Sequence, residues 1–234
     1  MFSILQSPSQ IIQINPALET LFVRYQIDST SNHPINEHLD CADLLVRLCE
    51  QLTEIEKCSA EDFRQFSLLE LVDFLGRSHN YYRSKKIPEL NQRICNLINA
   101  TLSHQKNLIA ALHYFDEYTQ HLVEHFEEEE LHLFPLASIA EKPKTFETKN
   151  EILNRFEFVE QHSVQHDSIN SNQYYELISK CLELTTTSPD ISMYLNIIKD
   201  QLISFKEDIE LHEWFEESVF IPRLKRHFSV IEPN

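Results

Sequence analysis

The sequence predicts an all-α protein, an up-down four-helix bundle with a small helical N-terminal domain. Three observations support this fold class. Apolar residues recur every three to four positions over long stretches, which is the period of a helix with one buried face. The 234 residues include nine prolines and a single glycine, which disfavours a turn-rich β protein. A motif with His and Glu at helical spacing occurs twice, and the core of a bundle could hold both copies.

The N-terminal domain is predicted to span residues 1–62. Residues 1–14 show no periodicity and are predicted to be irregular. A helix is predicted for Asn15–Gln26, because Asn followed by Pro is typical of a helix start. A second helix is predicted around Leu44–Leu52, where leucines recur at helical spacing. The polar stretch at residues 56–62 indicates a linker to the next domain.

The second domain, residues 63–234, is predicted to form the four-helix bundle. Its apolar stripes place the helices at about residues 67–102, 108–135, 150–184 and 191–220. Pro88 falls inside the first of these helices and would kink or divide it. The chain thus reads as two helical hairpins, joined by a polar loop around Pro143.

The repeated motif consists of His, three residues, Glu-Glu, two residues, two apolar residues and Pro. Its copies begin at His125 and His212, which are 87 residues apart. Residues four apart lie on one face of a helix, so each imidazole points the same way as a carboxylate, Glu129 or Glu216. The proline ten residues after each His should end or kink the helix. One such pair alone is more often a solvated surface pair, but two matching copies favour a metal site.

The same 87-residue offset separates two further histidines, one upstream of each copy, His79 and His166. His79 lies 46 residues before His125, and His166 lies 46 residues before His212. His162 lies on the same helical face as His166 and is the alternative at that position. Imidazole and carboxylate together suit iron, manganese or zinc, and carboxylates that can bridge suit a pair of metals. The candidate metal ligands are therefore His79, His125, Glu129, His166, His212 and Glu216, with His162 as the alternative to His166.

The composition excludes several classes of partner. A net charge of −17 disfavours nucleic acid and an anionic membrane surface. Five cysteines, an odd number without a CxxC pair, indicate reduced thiols and a cytoplasmic location. No leader peptide and no apolar run long enough for a membrane span are recognisable. The tyrosines beside the candidate ligands, Tyr81 and Tyr82, are predicted to be core residues.

These motifs resemble the hemerythrin-like family, most closely its branch of di-iron proteins that repair iron centres. The resemblance covers roughly residues 67–226 and rests on four segments: Ser78–Tyr82 with Pro88, His125–Pro135, Gln165–Ile169 and His212–Pro222. It implies two iron ions with four terminal His ligands, bridged by the two Glu and by an oxo or hydroxo group. The N-terminal segment Leu18–Tyr25 is similar to the short domain of that branch, although the Cys-Cys pair that many members carry is absent here.

The resemblance implies a cytoplasmic di-iron protein that protects or repairs iron–sulfur clusters after nitrosative or oxidative stress. Its small ligands would be O2, NO or peroxide, and proteins with damaged clusters are candidate partners. Two alternatives use the same centre: a hemerythrin-type sensor or store of O2 or NO, and an enzyme that reduces NO or peroxide. A metal-free helical interaction module is a further alternative. Whether the chain is an enzyme stays open at this point.

Overall fold

All the regular secondary structure that the computed structural model describes is helical, which confirms the all-α class. The described residues are 2–40, 42–53, 59–101, 105–141, 171–185 and 189–229. The α-helices are α1 (Pro8–Ile14), α2 (Glu19–Arg24), α3 (Ala42–Thr53), α4 (Leu68–Tyr81), α5 (Ile87–Ala100), α6 (Gln105–His132), α7 (Phe134–Glu141), α8 (Ser171–Glu183), α9 (Pro189–Phe215) and α10 (Ile221–Ser229). Short 3-10 turns lie at Pro16–Leu18, Ile35–Glu37 and Ala60–Phe63, and π-helical segments at Tyr82–Lys86 and Glu216–Phe220.

The prediction that residues 1–14 are irregular is wrong, because Pro8–Ile14 forms α1. Ser7 caps this helix through a reciprocal pair of hydrogen bonds with Gln10. The backbone N–H of Gln10 donates to Ser7 Oγ at 3.3 Å, and the N–H of Ser7 donates to Gln10 Oε1 at 3.0 Å. The sequence does contain this capping box, Ser-Pro-x-Gln. Periodicity missed it because so short a helix buries only Pro8 and Ile11.

The described residues divide into two compact units. The first contains residues 2–81, 137–141 and 215–229, and the second contains residues 82–136 and the described part of 171–214. The predicted domains, residues 1–62 and 63–234, divide the chain at other positions than these two units do, and they stay a prediction. The up-down order of the four predicted helices also stays a prediction. Of the helix predicted at about residues 150–184, only the part at α8 lies within the described residues.

Aromatic rings form the centre of the first unit. The ring of Phe215 meets the edges of Phe63 and Phe74, with centroids 5.1 Å and 4.8 Å away, and all three are buried. Edge-to-face pairs of this kind add to the stability that burial itself contributes. In the same unit α2 packs against α4, where the buried Arg24 donates from Nη1 to Ser78 Oγ at 3.1 Å. This hydrogen bond therefore links α2 to the buried face of α4.

The second unit is built around α6. This helix packs against both α5 and α8. Asn91 on α5 donates from Nδ2 to Asp116 Oδ1 on α6 at 2.6 Å. Phe115 and Phe205 are fully buried and meet with ring centroids 6.4 Å apart, which joins α6 to α9. The two copies of the repeated motif begin on α6 and α9.

The prolines of the two motif copies interrupt their helices in different ways. Before Pro135 the helix breaks for one residue, Leu133, whose N–H donates to the carbonyl of Glu129 at 2.8 Å. Before Pro222 the chain stays helical but widens, because the N–H of Ile221 donates to the carbonyl five residues back, that of Glu216. A proline has no backbone N–H and cannot donate a hydrogen bond to the preceding turn. Both arrangements accommodate the missing hydrogen bond.

Among the described residues, no helix is both long enough and apolar enough to cross a membrane.

Truncating Phe63 to Ala should lower the free energy of unfolding by about 3–5 kcal/mol, because it leaves a cavity against Phe66 and Phe215. Urea unfolding followed by circular dichroism measures this loss. Leu5, which is 69% exposed, provides the matched control. Leu5→Ala should change the free energy of unfolding by no more than about 0.5 kcal/mol. Equal losses in the two variants would contradict the assignment of Phe63 to the core.

Cys49 should resist alkylation in the folded protein. It is fully buried, and burial raises the pKa of its thiol to about 12, with a smaller contribution from the charge of Glu50. The reactive thiolate is therefore nearly absent at pH 8. Iodoacetamide labelling followed by peptide mass spectrometry should find Cys49 modified only in urea, whereas the half-buried Cys181 reacts in both states. Native labelling of Cys49 as fast as that of Cys181 would contradict this burial.

Candidate metal centre

Each copy of the repeated motif presents its His and Glu from one helix. His125 and Glu129 both lie on α6, and Nε2 of His125 is 2.5 Å from Oε1 of Glu129. His212 lies near the end of α9, and Glu216 begins the π-helical segment that follows. Residues one helical turn apart share a face, which is why each pair points in a common direction.

These side chains are buried far more deeply than ionisable groups usually are. The exposed fraction is 0% for His79, Glu129 and Glu216, and 2% for His212. His125 is slightly more open, with 11% of its side chain exposed. Removing a carboxylate from water costs several kcal/mol unless it meets positive charge or hydrogen bonds. Two fully buried carboxylates beside imidazoles therefore mark a place where a cation would be strongly favoured.

The nitrogen and oxygen atoms converge in two groups. Within the second unit both groups contain Glu129, which is joined by His212 in one group and by His125 in the other. Within each group the candidate ligand atoms lie within 4.8 Å of one another. Glu129 belongs to both groups, and a carboxylate has two oxygens that it can give to different ions. The arrangement therefore offers two neighbouring positions for a metal with a shared carboxylate.

The donor set fits a first-row transition metal. Imidazole nitrogen and carboxylate oxygen bind such ions at about 2.0–2.2 Å, so ligand atoms around one ion are separated by at most about twice that distance. The 4.8 Å bound on the spacing within both groups is close to this limit. Neither group contains a thiolate, so iron, manganese or zinc suits it better than a copper(I) or cluster site.

The acid–base state of His125 reflects its partner. Burial by itself would lower the pKa of this imidazole, but the charge of Glu129 and the hydrogen bond to it outweigh burial. Glu213 and Glu128 act in the same direction, so the pKa is raised above its usual value. A metal ion at this position would replace the shared proton, which is the usual exchange when imidazole and carboxylate bind metals.

Aromatic rings enclose His212. The ring centroids of Tyr82 and Phe126 lie 5.9 Å and 5.6 Å from that of the imidazole, and both rings approach at nearly a right angle. Tyr82 and Phe126 also stack on each other at 5.7 Å. Tyr82 Oη donates to the carbonyl oxygen of Asp208 at 3.2 Å, which fixes the tyrosine one turn before His212. These contacts hold the imidazole in place and keep water from that side.

Both π-helical segments lie beside candidate ligands. Tyr82–Lys86 begins three residues after His79, and Glu216–Phe220 begins at a candidate ligand. A π-turn inserts one extra residue into a helix and re-aims the side chains around it, and such turns often occur at functional sites. The first of them precedes Pro88, the proline predicted to kink the first helix of the bundle.

Within the second unit the structure brings together three of the six candidate ligands, His125, Glu129 and His212. His79 and Glu216 are buried in the first unit. The sixth candidate lies outside the described residues. His166, and His162 as its alternative, both fall in the segment 142–170. That these side chains bind metal stays a prediction. Sequence reasoning missed the role of Phe126 beside His212. The available signal was its position in the sequence, because Phe126 directly follows His125 and so lies beside the helical face that carries His125 and Glu129.

Comparison of the chain with protein-family models gave no match, and comparison with curated proteins gave none either. The interpretation of this centre therefore depends on its own residues and their geometry.

Replacing Glu216 by Gln should sharply lower the amount of iron that the purified protein retains. The amide keeps the size of the side chain but removes the charge that a buried cation requires. Glu217, the next residue, is exposed and provides the matched control, so Glu217→Gln should retain wild-type iron. Inductively coupled plasma mass spectrometry measures the metal. Equal iron in both variants and in the wild type would refute Glu216 as a ligand.

Proposed function

We propose that this chain is a hemerythrin-like four-helix-bundle protein that holds two iron ions. The observation that carries the proposal is that the fully buried Glu129 offers ligand atoms within 4.8 Å of those of both His125 and His212. His79 and His212 would hold one ion, and His125 and Glu216 the other. The 87-residue repeat adds His166 as a further imidazole, and His162 is the alternative on the same helical face. A helical bundle is the architecture in which facing helices direct such ligands inward.

The proposed activity is protection or repair of iron–sulfur clusters in the cytoplasm after nitrosative or oxidative stress. When bound, a pair of iron ions supplies one-electron redox chemistry and positions for O2, NO or peroxide. The chain's own residues set the conditions for that chemistry. Glu129 and Glu216 contribute negative charge that favours the ferric state, while imidazoles tolerate both oxidation states. Tyr82 and Phe126 orient His212 and exclude water around it.

Two alternative functions predict different behaviour of the same centre. A sensor or store of O2 or NO would form a stable adduct and keep its iron. An NO or peroxide reductase would turn over when given an electron donor. A repair protein instead must give up iron to a damaged cluster. These three outcomes are distinguishable with one preparation of anaerobically purified, iron-loaded protein.

The repair experiment combines iron-loaded protein, inorganic sulfide and a thiol reductant with a ferredoxin whose cluster has been damaged by NO. Recovery of the cluster absorbance, faster than with the same concentration of free ferrous iron, is the result expected for repair. Glu216→Gln should give no recovery beyond free iron, and Glu217→Gln should match the wild type. Mössbauer spectra before the reaction establish whether two coupled irons are present. A stable O2 or NO adduct without iron transfer would contradict repair and favour the sensor or store. Turnover of NO or peroxide that depends on an electron donor would favour the reductase.

The ligand in the segment 142–170 can be identified by paired variants. His166→Ala should lower the retained iron, whereas His162→Ala should leave most of it, because only His166 follows the 87-residue offset. Metal analysis of both purified variants decides between them. The reverse pattern would assign His162 as the ligand, and unchanged iron in both would remove this segment from the metal centre.

A further inference from the structure

A groove between α5 and α9 lies within the second unit, and none of the candidate metal ligands lines it. Its volume is about 430 Å³, which is within the usual range for small-molecule sites. Such sites often lie between the helices of bundles. One stripe of each helix lines it: Arg93, Asn96, Leu97 and Ala100 on α5, and Ile191, Tyr194, Ile197 and Ile198 on α9. We call this feature the α5–α9 groove.

Apolar side chains form most of the α5–α9 groove. Leu97 and Ile198 are buried at its floor, whereas Tyr194 and Ile197 are 60% and 38% exposed. Large apolar side chains in a concave surface lose their contact with water when a hydrocarbon covers them, and that transfer is favourable. The groove therefore suits a ligand with an apolar chain.

Two hydrogen-bond donors begin the stripe on α5. The guanidinium of Arg93 forms no hydrogen bond or ion pair with any residue that the structure describes. One turn later, Asn96 Oδ1 accepts a hydrogen bond from Gln92 Nε2 at 2.8 Å, which leaves the amide nitrogen of Asn96 to donate. None of the described residues that line the groove is acidic. The groove therefore offers a cation and an amide donor to an anionic group.

The ligand must combine an anionic group with an apolar chain. A small anion without a chain gains little, because the protein as a whole carries a net charge of −17. A hydrocarbon without a charge leaves Arg93 unpaired. A guanidinium presents parallel N–H donors that match the two oxygens of a carboxylate. A carboxylate on a hydrocarbon chain satisfies both parts of the groove.

The length of the stripe on α5 limits the size of the ligand. Arg93 and Ala100 are seven residues apart, so the stripe is about 10 Å long. This length matches the extended chain of octanoate. A stable protein partner would cover roughly 800 Å² on each side, and a groove of two helical turns is short for such an interface.

We propose that the α5–α9 groove binds a medium-chain alkyl carboxylate. Arg93 and the amide nitrogen of Asn96 hold the carboxylate, and the hydrocarbon chain lies along the apolar residues towards Ala100. The site does not use the candidate metal centre, so binding requires no iron and is independent of the proposed function.

The first test titrates octanoate into the full chain and measures binding by isothermal titration calorimetry. One equivalent should bind. Hexanoate, with two fewer methylene groups, should bind about ten-fold more weakly, because less apolar surface is buried. Arg93→Gln should weaken octanoate binding by about ten-fold, because it removes the charge-assisted hydrogen bonds. Lys180→Gln, at an exposed cation of α8 that does not line the groove, is the matched control and should bind like the wild type.

A second variant separates the apolar part of the site from the charged part. Ala100 is exposed at the end of α5, so Ala100→Phe should fill the groove without disturbing the core. This variant should lose octanoate binding although it keeps Arg93. Its circular dichroism spectrum and melting temperature should match those of the wild type.

Nuclear magnetic resonance of isoleucine methyl groups locates the ligand. Octanoate should shift the δ1 methyl signals of the isoleucines that line the groove, Ile191, Ile197 and Ile198. Ile109 on α6 is 53% exposed and does not line the groove, so its signal should stay in place. Equal shifts at Ile109 and Ile197 would indicate unspecific binding and would overturn the proposal.

Three further results would contradict the site. Octanoate binding that is not saturable, or that is the same in Arg93→Gln and the wild type, would remove Arg93 as the carboxylate partner. Flotation with phosphatidylglycerol vesicles that depends on Arg93, without binding of free octanoate, would assign the groove to a membrane surface instead. A dimer in sedimentation that Ala100→Phe dissociates, again without octanoate binding, would assign it to a second copy of the chain.

Discussion

The burial of two carboxylates beside imidazoles is the constraint on which the rest of this structure depends. Glu129 and Glu216 are fully buried, and a carboxylate in such surroundings needs positive charge nearby. Long helices can carry such side chains into an apolar interior because their own backbone groups are hydrogen-bonded internally. The backbone therefore adds no unsatisfied peptide groups to that interior.

The two motif copies reach similar local arrangements by different backbone routes. Each has His and Glu one turn apart, followed by a proline that cannot continue the hydrogen-bond ladder. The first copy breaks its helix at Leu133, whereas the second widens into the π-helical segment Glu216–Phe220. The repeat therefore keeps the candidate ligands and the proline but not the backbone conformation between them.

The rings around His212 connect the candidate centre with the packing of its unit. Tyr82 touches the imidazole, stacks on Phe126 and meets Phe205, so one side chain serves ligand orientation and core packing together. The sequence assigns Tyr82 to the core, and its complete burial agrees with that assignment.

The sequence by itself determined the helical class and the pairing of His with Glu at helical spacing, because periodicity and a matched repeat are visible in one dimension. It also contained the capping box of α1, although too few apolar positions accompany it to form a stripe. Only the tertiary structure decided that Glu129 belongs to both groups of candidate ligands and that Tyr82 and Phe126 enclose His212. These contacts join residues far apart in the chain, and local periodicity shows which face of a helix is buried but not which partner that face meets.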